Sequence, residues 1–168
     1  MANTYTALHY HVVFSTKNRE PWITTEHEQR IWSYLGGIAR ENDIKPLMIG
    51  GIENHVHLLL GIPAALAVSK AVQMIKGGSS AWIKEMLPGM KGFGWQDGYG
   101  AFTVSKSLVP EVTRYVSEQR QHHQGRTFEQ EYEVCWNDTR SSSTSDTCLI
   151  PRLWDEVSRR YATEVHPS

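Results

Sequence analysis

Cysteine is scarce in this chain, and long hydrophobic runs are missing. The two cysteines, Cys135 and Cys148, form neither a Cys-x-x-Cys motif nor a zinc-type cluster. No apolar run approaches the roughly 20 residues that a membrane-spanning helix requires, and no secretory signal opens the sequence. We therefore expect a soluble protein of the reducing cytoplasm.

An excess of charge of either sign is also missing, since the formal net charge is only −1. The charges are unevenly distributed, however. Through Arg126 there are 13 Lys and Arg against 10 Asp and Glu, whereas from Thr127 onward there are 4 against 8. The mildly basic front part is compatible with a polyanionic partner, although an ordinary solvated surface explains this count nearly as well.

The length of 168 residues and the 40% share of hydrophobic residues suit one domain with a sizeable core and an appendage. Residues 141–146 have the composition of a linker. We predict a catalytic domain over residues 1–132, followed by an acidic linker and tail over residues 133–168 with space for a short helix.

Hydrophobic periodicity predicts the order strand, helix, strand, strand, helix, strand, helix. These elements are predicted over residues 5–15, 24–42, 44–50, 55–60, 66–86, 101–104 and 110–122. Gly77 and Gly78 cost a helix about 2 kcal/mol relative to alanine, so we expect the second helix to be kinked or split there. The order indicates an α+β fold: a ferredoxin-like split β-α-β sheet with helices on one face and an additional C-terminal helix.

Two histidines lie two positions apart in the third predicted strand. Because side chains alternate along a strand, His55 and His57 point to one face while Val56, Leu58 and Leu60 point to the other, which we interpret as the core. A rise of about 3.3 Å per residue puts the two imidazoles roughly 6 to 7 Å apart at the backbone. This spacing suits metal chelation, and we expect the histidines to lie on an open face of the sheet.

The spacing alone does not establish a metal site. The chain has 8 histidines and contains a second such triplet at His9-Tyr10-His11, so chance accounts for such a pattern readily. A further group must converge on His55 and His57.

The last predicted helix supplies two such candidates. Its buried stripe is predicted to contain Val109, Val112 and Val116. Tyr115 and Gln119 are four residues apart on the neighbouring stripe and therefore project together from the edge of the buried face. A tyrosine in such a position most often packs its ring and leaves its hydroxyl in water.

Together these residues resemble the single-tyrosine HUH transposases of small insertion sequences and their REP-associated relatives. The resemblance covers most of residues 5–132. It rests on the blocks HVVFSTKNR (11–19), NHVHLL (54–59), KGGSS (76–80), WQDGYGAF (95–102) and YVSEQ (115–119), the last followed by His122 and His123.

The resemblance implies His55 and His57 as paired metal ligands, Gln119 as a third ligand, and Tyr115 as the nucleophile. The metal would be Mg²⁺ or Mn²⁺, of which Mn²⁺ tolerates imidazole better. It implies a DNA transposase that cleaves and rejoins single-stranded DNA at hairpin-bearing element ends, through a 5′-phosphotyrosine and a free 3′-hydroxyl. It also implies a homodimer in which Tyr115 of one subunit serves the histidines of the other.

The small positive charge of the front part favours a hairpin-bearing single strand over a long duplex, because each phosphate contact needs its own cation. The predicted phosphate contacts are Lys17, Arg19, Lys76 and Lys106, and the candidates for base stacking are Trp22, Trp95 and Tyr99. His9-Tyr10-His11 is assigned a structural role in the first strand, and His11 is in addition a candidate either to contact DNA or to support the metal site from the neighbouring strand.

Two other classes remain open on the sequence. A non-catalytic RNA-binding module of the RRM type would present aromatic side chains on its open sheet face. A metalloenzyme of the cupin type also uses a His-x-His pair, but on a double-stranded β architecture that the three helices disfavour. A transposase fold can, in addition, be retained by a host as a domesticated endonuclease.

Overall fold

Four antiparallel strands and three helices make up the part of the chain described by the computed structural model, residues 5–120. The strands are β1 (His9–Ser15), β2 (Lys45–Ile52), β3 (His55–Gly61) and β4 (Gly100–Val104). The helices are α1 (Glu28–Glu41), α2 (Val68–Met86) and α3 (Val109–Ser117). This order confirms the succession of elements predicted from hydrophobic periodicity.

The sheet has the strand order β2-β3-β1-β4, and every neighbouring pair is antiparallel. Each β-α-β unit therefore places a strand beside one that is not its neighbour in sequence, which is the split arrangement predicted from the order of elements. The α+β ferredoxin-like fold is confirmed. A single sheet of this kind excludes the double-stranded architecture of the cupin alternative for the described region.

Strand β3 supplies the centre of the main core. Val56, Leu58 and Leu60 are fully buried and pack with residues of α1 and α2. On the neighbouring strand β1, Val12 and Phe14 point to the same face, because they are the register partners of Leu58 and Val56. The face of β3 that carries Val56, Leu58 and Leu60 therefore packs against α1 and α2, and the prediction that this face belongs to the core is confirmed.

Helix α2 is unbroken through Gly77 and Gly78, so the predicted kink or split is wrong. Residues four apart continue one buried stripe on both sides of the glycines. This stripe contains Ala71, Ile75, Ser79 and Ile83. Fully burying an isoleucine is worth about 1.5–3 kcal/mol, so packing along the whole helix offsets the low helix propensity of two glycines.

Two predicted boundaries differ from the observed ones. Strand β1 begins at His9 instead of residue 5, because its partner strands β3 and β4 end opposite His9, at Gly61 and Val104. Helix α1 begins at Glu28, and no threonine side chain caps it; the carbonyl of Thr24 instead accepts hydrogen bonds from the first turn.

Helix α3 ends at Ser117, and helical conformation resumes at Gln119 after a turn at Glu118. The remainder of the predicted last helix lies outside the described residues. The same holds for the predicted domain boundary at 132/133 and for the acidic tail. The described residues belong to one compact unit that spans Met1–Arg120, and none of their helices has the length and apolarity needed to cross a membrane.

Candidate active site

His55 and His57 lie at the beginning of β3 and point to the face opposite α1 and α2. Their ring centroids are 5.0 Å apart, with an interplanar angle of 67°. On the flanking strands, His55 lies opposite Ser15, and His57 lies opposite Val13 of β1 and Gly50 of β2. The two imidazoles thus lie on β3, one of the two inner strands of the sheet. They are close enough together to contact one bound ion.

The face that carries these histidines is covered at His57 and His11, so the expectation of an open face is wrong there, whereas His55 is partly exposed. Helix α3 packs on this face, where Val112 and Val116 bury the apolar stripe that was predicted for the last helix. The second apolar cluster formed in this way contains Leu59, Val104, Val112 and Val116. As a result, only 6% of the surface of His57 is exposed.

Gly50 allows α3 to lie directly on the sheet. A Cβ atom at this position would lie 2.4 Å from the carbonyl oxygen of Val116, a distance at which backbone must move. Because Gly50 is the register partner of His57, the closest approach of α3 occurs beside this histidine. No local sequence pattern indicated this contact, since the helix that contacts Gly50 is distant in sequence.

Tyr115 projects from α3 toward the histidines of the same chain. Its ring centroid lies 5.8 Å from that of His57, and the rings are nearly perpendicular at 85°. A second edge contact, with centroids 6.2 Å apart, joins Tyr115 to His11. The structure therefore brings the predicted nucleophile and one predicted metal ligand together within a single chain.

Gln119 lies one helical turn after Tyr115 and is almost fully buried. Its amide nitrogen Nε2 donates a hydrogen bond to the Tyr115 carbonyl at 3.1 Å. An amide nitrogen offers hydrogens and no lone pair, so the side-chain oxygen is the atom with which Gln119 would bind a cation.

Arg120 anchors the segment that carries Gln119. Its Nη1 donates to Glu53 Oε1 at 2.8 Å, and its Nη2 donates to Glu28 Oε2 at 2.5 Å. Glu53 belongs to the turn that leads from β2 into His55. The bond from Arg120 to Glu53 therefore fixes the residues after α3 beside the start of β3, where His55 and His57 lie. No local sequence pattern indicated the role of Arg120, because its partners are 67 and 92 residues away.

The ring of His55 is oriented by its neighbour Asn54. Nδ1 of His55 lies 2.8 Å from Asn54 Oδ1, and an amide oxygen can only accept, so Nδ1 carries the proton. The carbonyl of Asn54 in turn accepts hydrogen bonds from the backbone nitrogen and the hydroxyl of Thr16. This network ties the end of β1 to the turn before β3, and Nε2 is the nitrogen through which His55 would coordinate a cation.

His11 is completely buried beneath α3. Its Nε2 lies 2.9 Å from Nδ1 of His57, and burial lowers its pKa from 6.5 to about 4. His11 is therefore neutral at physiological pH. The prediction of a DNA contact for His11 is incompatible with this burial, whereas support of His57 from the neighbouring strand agrees with the geometry.

The site is chemically suited to a divalent cation. Within residues 5–120 no group of three or more His, Cys, Asp or Glu side chains is arranged to hold a metal, so a cation held by His55 and His57 would need a third protein ligand of another type. The donor set would be two imidazole nitrogens, from His55 and His57, and the amide oxygen of Gln119. Mn²⁺ accepts both donor types, and Mg²⁺ favours the oxygen.

The predicted phosphate contacts fall into separate regions. Lys17 and Arg19 are exposed and follow β1 directly after Ser15, the register partner of His55, so they lie at the histidine end of the sheet. Lys106 is also exposed, but it follows β4 at the opposite end. At about 3.3 Å per residue, the length of β1 separates these two ends by roughly 20 Å.

Lys76 and Trp95 have structural contacts that conflict with their predicted roles. The Lys76 ammonium donates to the carbonyls of Gln96 and Gly98 at 2.6 and 2.7 Å and lies over the core ring of Phe14. Burial lowers the pKa of Lys76, and nearby Asp97 opposes this effect. Lys76 thus holds a loop on the helical side of the sheet, away from α3, instead of presenting a free ammonium to phosphate.

Trp95 is buried and donates its indole N–H to Ser79 Oγ at 2.9 Å. Its ring packs edge-on against Phe14 and Phe93, so the predicted stacking of a DNA base on Trp95 is wrong. Trp22 and Tyr99 are partly buried against the core, and base stacking on them remains a prediction.

Two solved structures share this fold. One is that of a candidate transposase from Deinococcus radiodurans R1, with a TM-score of 0.58, 25% sequence identity, and coverage of 71% of this chain and 96% of that chain. The other is a REP-associated tyrosine transposase bound to a REP hairpin, with a TM-score of 0.55, 14% identity and coverage of 73% of each chain. The fold is therefore one that transposases use.

Sequence comparison identifies the family. A family model described as "Transposase IS200 like" matches residues 4–119. The chain is also 28% identical over 125 residues to the transposases for insertion sequence element IS200 of Salmonella typhimurium (strain LT2) and Salmonella typhi, with coverage of 71% of this chain and 81% of each relative. The chain belongs to the IS200-like transposase family, which confirms the resemblance and indicates a DNA-cleaving enzyme.

The RRM alternative is not supported. It predicted an open sheet face with aromatic side chains for base stacking. The face opposite α1 and α2 instead carries His11, His55 and His57 and is packed against α3.

We predict that Gly50→Ala displaces α3 and weakens DNA cleavage. The new methyl group would overlap the Val116 carbonyl, so we expect a loss of stability of about 1–3 kcal/mol and a loss of cleavage of about 100-fold, as for a misplacement of about 1 Å. Urea unfolding and a cleavage assay on single-stranded DNA measure both effects.

Gly37→Ala is the matched control, because a Cβ atom at this position of α1 meets no atom within 4 Å. It should leave cleavage unchanged and stabilise the helix by up to about 1 kcal/mol. Wild-type cleavage in Gly50→Ala would show that the close contact between α3 and the sheet is not needed for activity.

Proposed function

We propose that this protein cleaves and rejoins single-stranded DNA at hairpin-bearing ends, with Tyr115 as the nucleophile. The observation that carries the proposal is the edge contact of Tyr115 with His57, at a centroid distance of 5.8 Å. A tyrosine ring that merely filled the core would not require two histidines on the opposing strand. Membership of the IS200-like transposase family supports the same reaction class.

In the proposed cleavage step, the Tyr115 hydroxyl oxygen attacks a backbone phosphorus. The bond between phosphorus and tyrosine oxygen forms as the bond to the 3′-oxygen breaks, so the 5′ side becomes a phosphotyrosine. The proton lost by the hydroxyl is balanced by the proton taken up at the 3′-oxygen. The covalent link conserves the energy of the broken phosphodiester, so a second 3′-hydroxyl can attack it and rejoin the strand without an external energy source.

The residues that would hold a divalent cation are His55, His57 and Gln119. When bound, such a cation supplies positive charge that polarises the scissile phosphate and offsets the charge developing during transfer. The hydrogen bonds made by Nδ1 of the two histidines fix the rings, and Nε2 is the nitrogen through which each would coordinate the cation. Tyr115 and Gln119 are only four residues apart, so α3 and the turn that follows it would set the nucleophile and one ligand together.

We further propose that the DNA substrate is a hairpin with flanking single-stranded bases. The REP-associated transposase of the same fold was solved with a REP hairpin. The short duplex of a hairpin has few phosphates, so few Lys or Arg side chains are needed to contact them. Lys17 and Arg19 are exposed at the histidine end of the sheet, where they suit phosphates next to the scissile bond. Lys106 would contact only a substrate long enough to reach the other end of the sheet.

A homodimer is proposed as the working assembly. A dimer does not require Tyr115 of one subunit to act with the histidines of the other, because Tyr115 lies beside His57 of its own chain. We therefore propose that each subunit can carry a complete set of site residues, with Tyr115, His55, His57 and Gln119 from one chain.

Tyr115→Phe should abolish the covalent adduct with single-stranded DNA, with a loss of cleavage of at least about 10⁴-fold, typical of removing a nucleophile. DNA binding should change little, because only one hydroxyl group is lost. A denaturing gel after incubation of the protein with hairpin DNA and Mn²⁺ detects the adduct.

Tyr34→Phe is the matched control for the adduct assay, since Tyr34 stacks on Trp82 in the layer of α1 and α2. It should form the adduct at the wild-type level. Adduct formation by Tyr115→Phe at that level would exclude Tyr115 as the nucleophile.

Mixing Tyr115→Phe protein with His57→Ala protein should give no recovery of cleavage if each site is built within one chain. Light scattering on the same mixture should report dimers, so that an absence of recovery cannot be attributed to a lack of subunit contact. Recovered cleavage in the mixture would instead show that Tyr115 and His57 come from different subunits.

The protein should bind a hairpin-bearing single strand more tightly than a perfect duplex of the same sequence, with a shallow dependence on salt. Each phosphate contact contributes about −0.7 to the salt slope on single strands. Replacing Lys17 or Arg19 by Gln should therefore make the slope shallower by about this amount, whereas Lys84→Gln, on α2, should not. Tighter binding of duplex with a steep slope would contradict the hairpin proposal.

A further inference from the structure

The contact between His11 and His57 joins two buried imidazoles. Nε2 of His11 lies 2.9 Å from Nδ1 of His57, the ring centroids are 5.1 Å apart, and the rings are inclined by only 19°. The exposed surface is 0% for His11 and 6% for His57. At this distance a single proton lies between the two nitrogens, and either ring can be the donor.

The direction of this hydrogen bond decides whether His57 can bind a cation. If His11 donates, Nδ1 of His57 is the acceptor, and the proton of a neutral His57 must lie on Nε2. If His57 donates from Nδ1, its Nε2 keeps the lone pair that a metal requires. Only the second arrangement makes His57 a ligand through Nε2.

The neighbouring ligand does not have this ambiguity. The partner of His55 Nδ1 is the amide oxygen of Asn54, which has no proton to give. The partner of His57 is another imidazole, which can donate or accept, so the tautomer of His57 depends on the residue at position 11.

We propose that His11 is a positioning residue of the active site: it accepts a hydrogen bond from Nδ1 of His57 and so holds His57 with Nε2 ready to coordinate the cation. This inference rests on the proposed function, because it assumes that His57 is a ligand. In this proposal His11 contacts His57 in the buried layer under α3 and does not contact DNA.

An acceptor role at Nε2 leaves the other ring nitrogen of His11 as a buried donor without a partner among the described residues, because the proton of a neutral His11 then lies on Nδ1. Leaving a buried polar group unpaired is costly, so a role in packing alone would favour an apolar residue of similar size. The edge of the Tyr115 ring also contacts His11, so the same side chain adjoins the proposed nucleophile.

Two nearly isosteric substitutions separate this role from packing. In His11→Gln the side-chain oxygen can accept the hydrogen bond from His57, whereas in His11→Met the side chain has similar length and only a weak acceptor. The probe is Mn²⁺ alone, titrated into the full-length protein by calorimetry, with thermal melting as a check on folding. His9→Met, two residues away on the same face of β1, is the control for loss of a histidine.

We expect His11→Met to weaken Mn²⁺ binding by about 10–100-fold, the usual effect of losing a partner of a ligating histidine. His11→Gln should bind within about threefold of wild type, and His9→Met should bind as wild type does. Wild-type affinity in His11→Met, or equal weakening in both His11 variants, would overturn the proposal.

A measurement on the wild-type protein covers the case in which a His11 variant does not fold. Nitrogen-15 NMR of the labelled imidazoles, recorded without metal, distinguishes protonated from unprotonated ring nitrogens. We expect His57 to be protonated at Nδ1 and unprotonated at Nε2. The opposite tautomer would overturn the proposal.

His57→Ala separates failure of this inference from failure of the proposed function. If His57→Ala binds Mn²⁺ as tightly as the wild-type protein, the metal site lies elsewhere and the proposed function itself is wrong in this respect. If His57→Ala loses binding while His11→Met keeps it, only the role of His11 is wrong.

Discussion

The register of β3 between its two neighbours is the constraint on which the rest of the structure depends. Alternate residues of this one strand serve two layers: Val56 and Leu58 fill the core under the long helices, while His55 and His57 face α3. A slip of one residue would exchange the two sets, burying both histidines in the apolar core and turning the aliphatic side chains toward the site. The stability of the core therefore also fixes the direction of the candidate ligands.

The packing of α3 on the histidine face brings Tyr115 close to His57 and keeps water away from the buried histidines. Gly50 lets α3 lie against the sheet, and this brings Tyr115 to the edge of His57. Because His11 and His57 are buried, the hydrogen bond between them acts in a medium of lower polarity than water and is correspondingly stronger. A site of this kind gains rigidity from the same packing that gives the domain its second apolar cluster.

Much of the fold and part of the site could be predicted from local patterns. The alternation along residues 55–60 predicted the two faces of β3, and the spacing of Val112 and Val116 predicted the buried stripe of α3. The roles of Lys76 and Trp95 could not be predicted in this way. Lysine and tryptophan suit phosphate and base contacts equally well on a surface, and only their partners in the folded chain, loop carbonyls and Ser79, reveal structural roles.

The sequence by itself determined the order of elements, the faces of the strands and the family, because periodicity and short motifs are properties of neighbouring residues. Only the tertiary structure decided that α3 covers His57, that His11 lies beneath it paired to His57, and that Arg120, just after α3, is bonded to Glu53. These contacts connect residues 46 or more positions apart. A local pattern specifies which face a side chain takes, but the element that packs on that face is selected by the burial and hydrogen bonding of the whole domain.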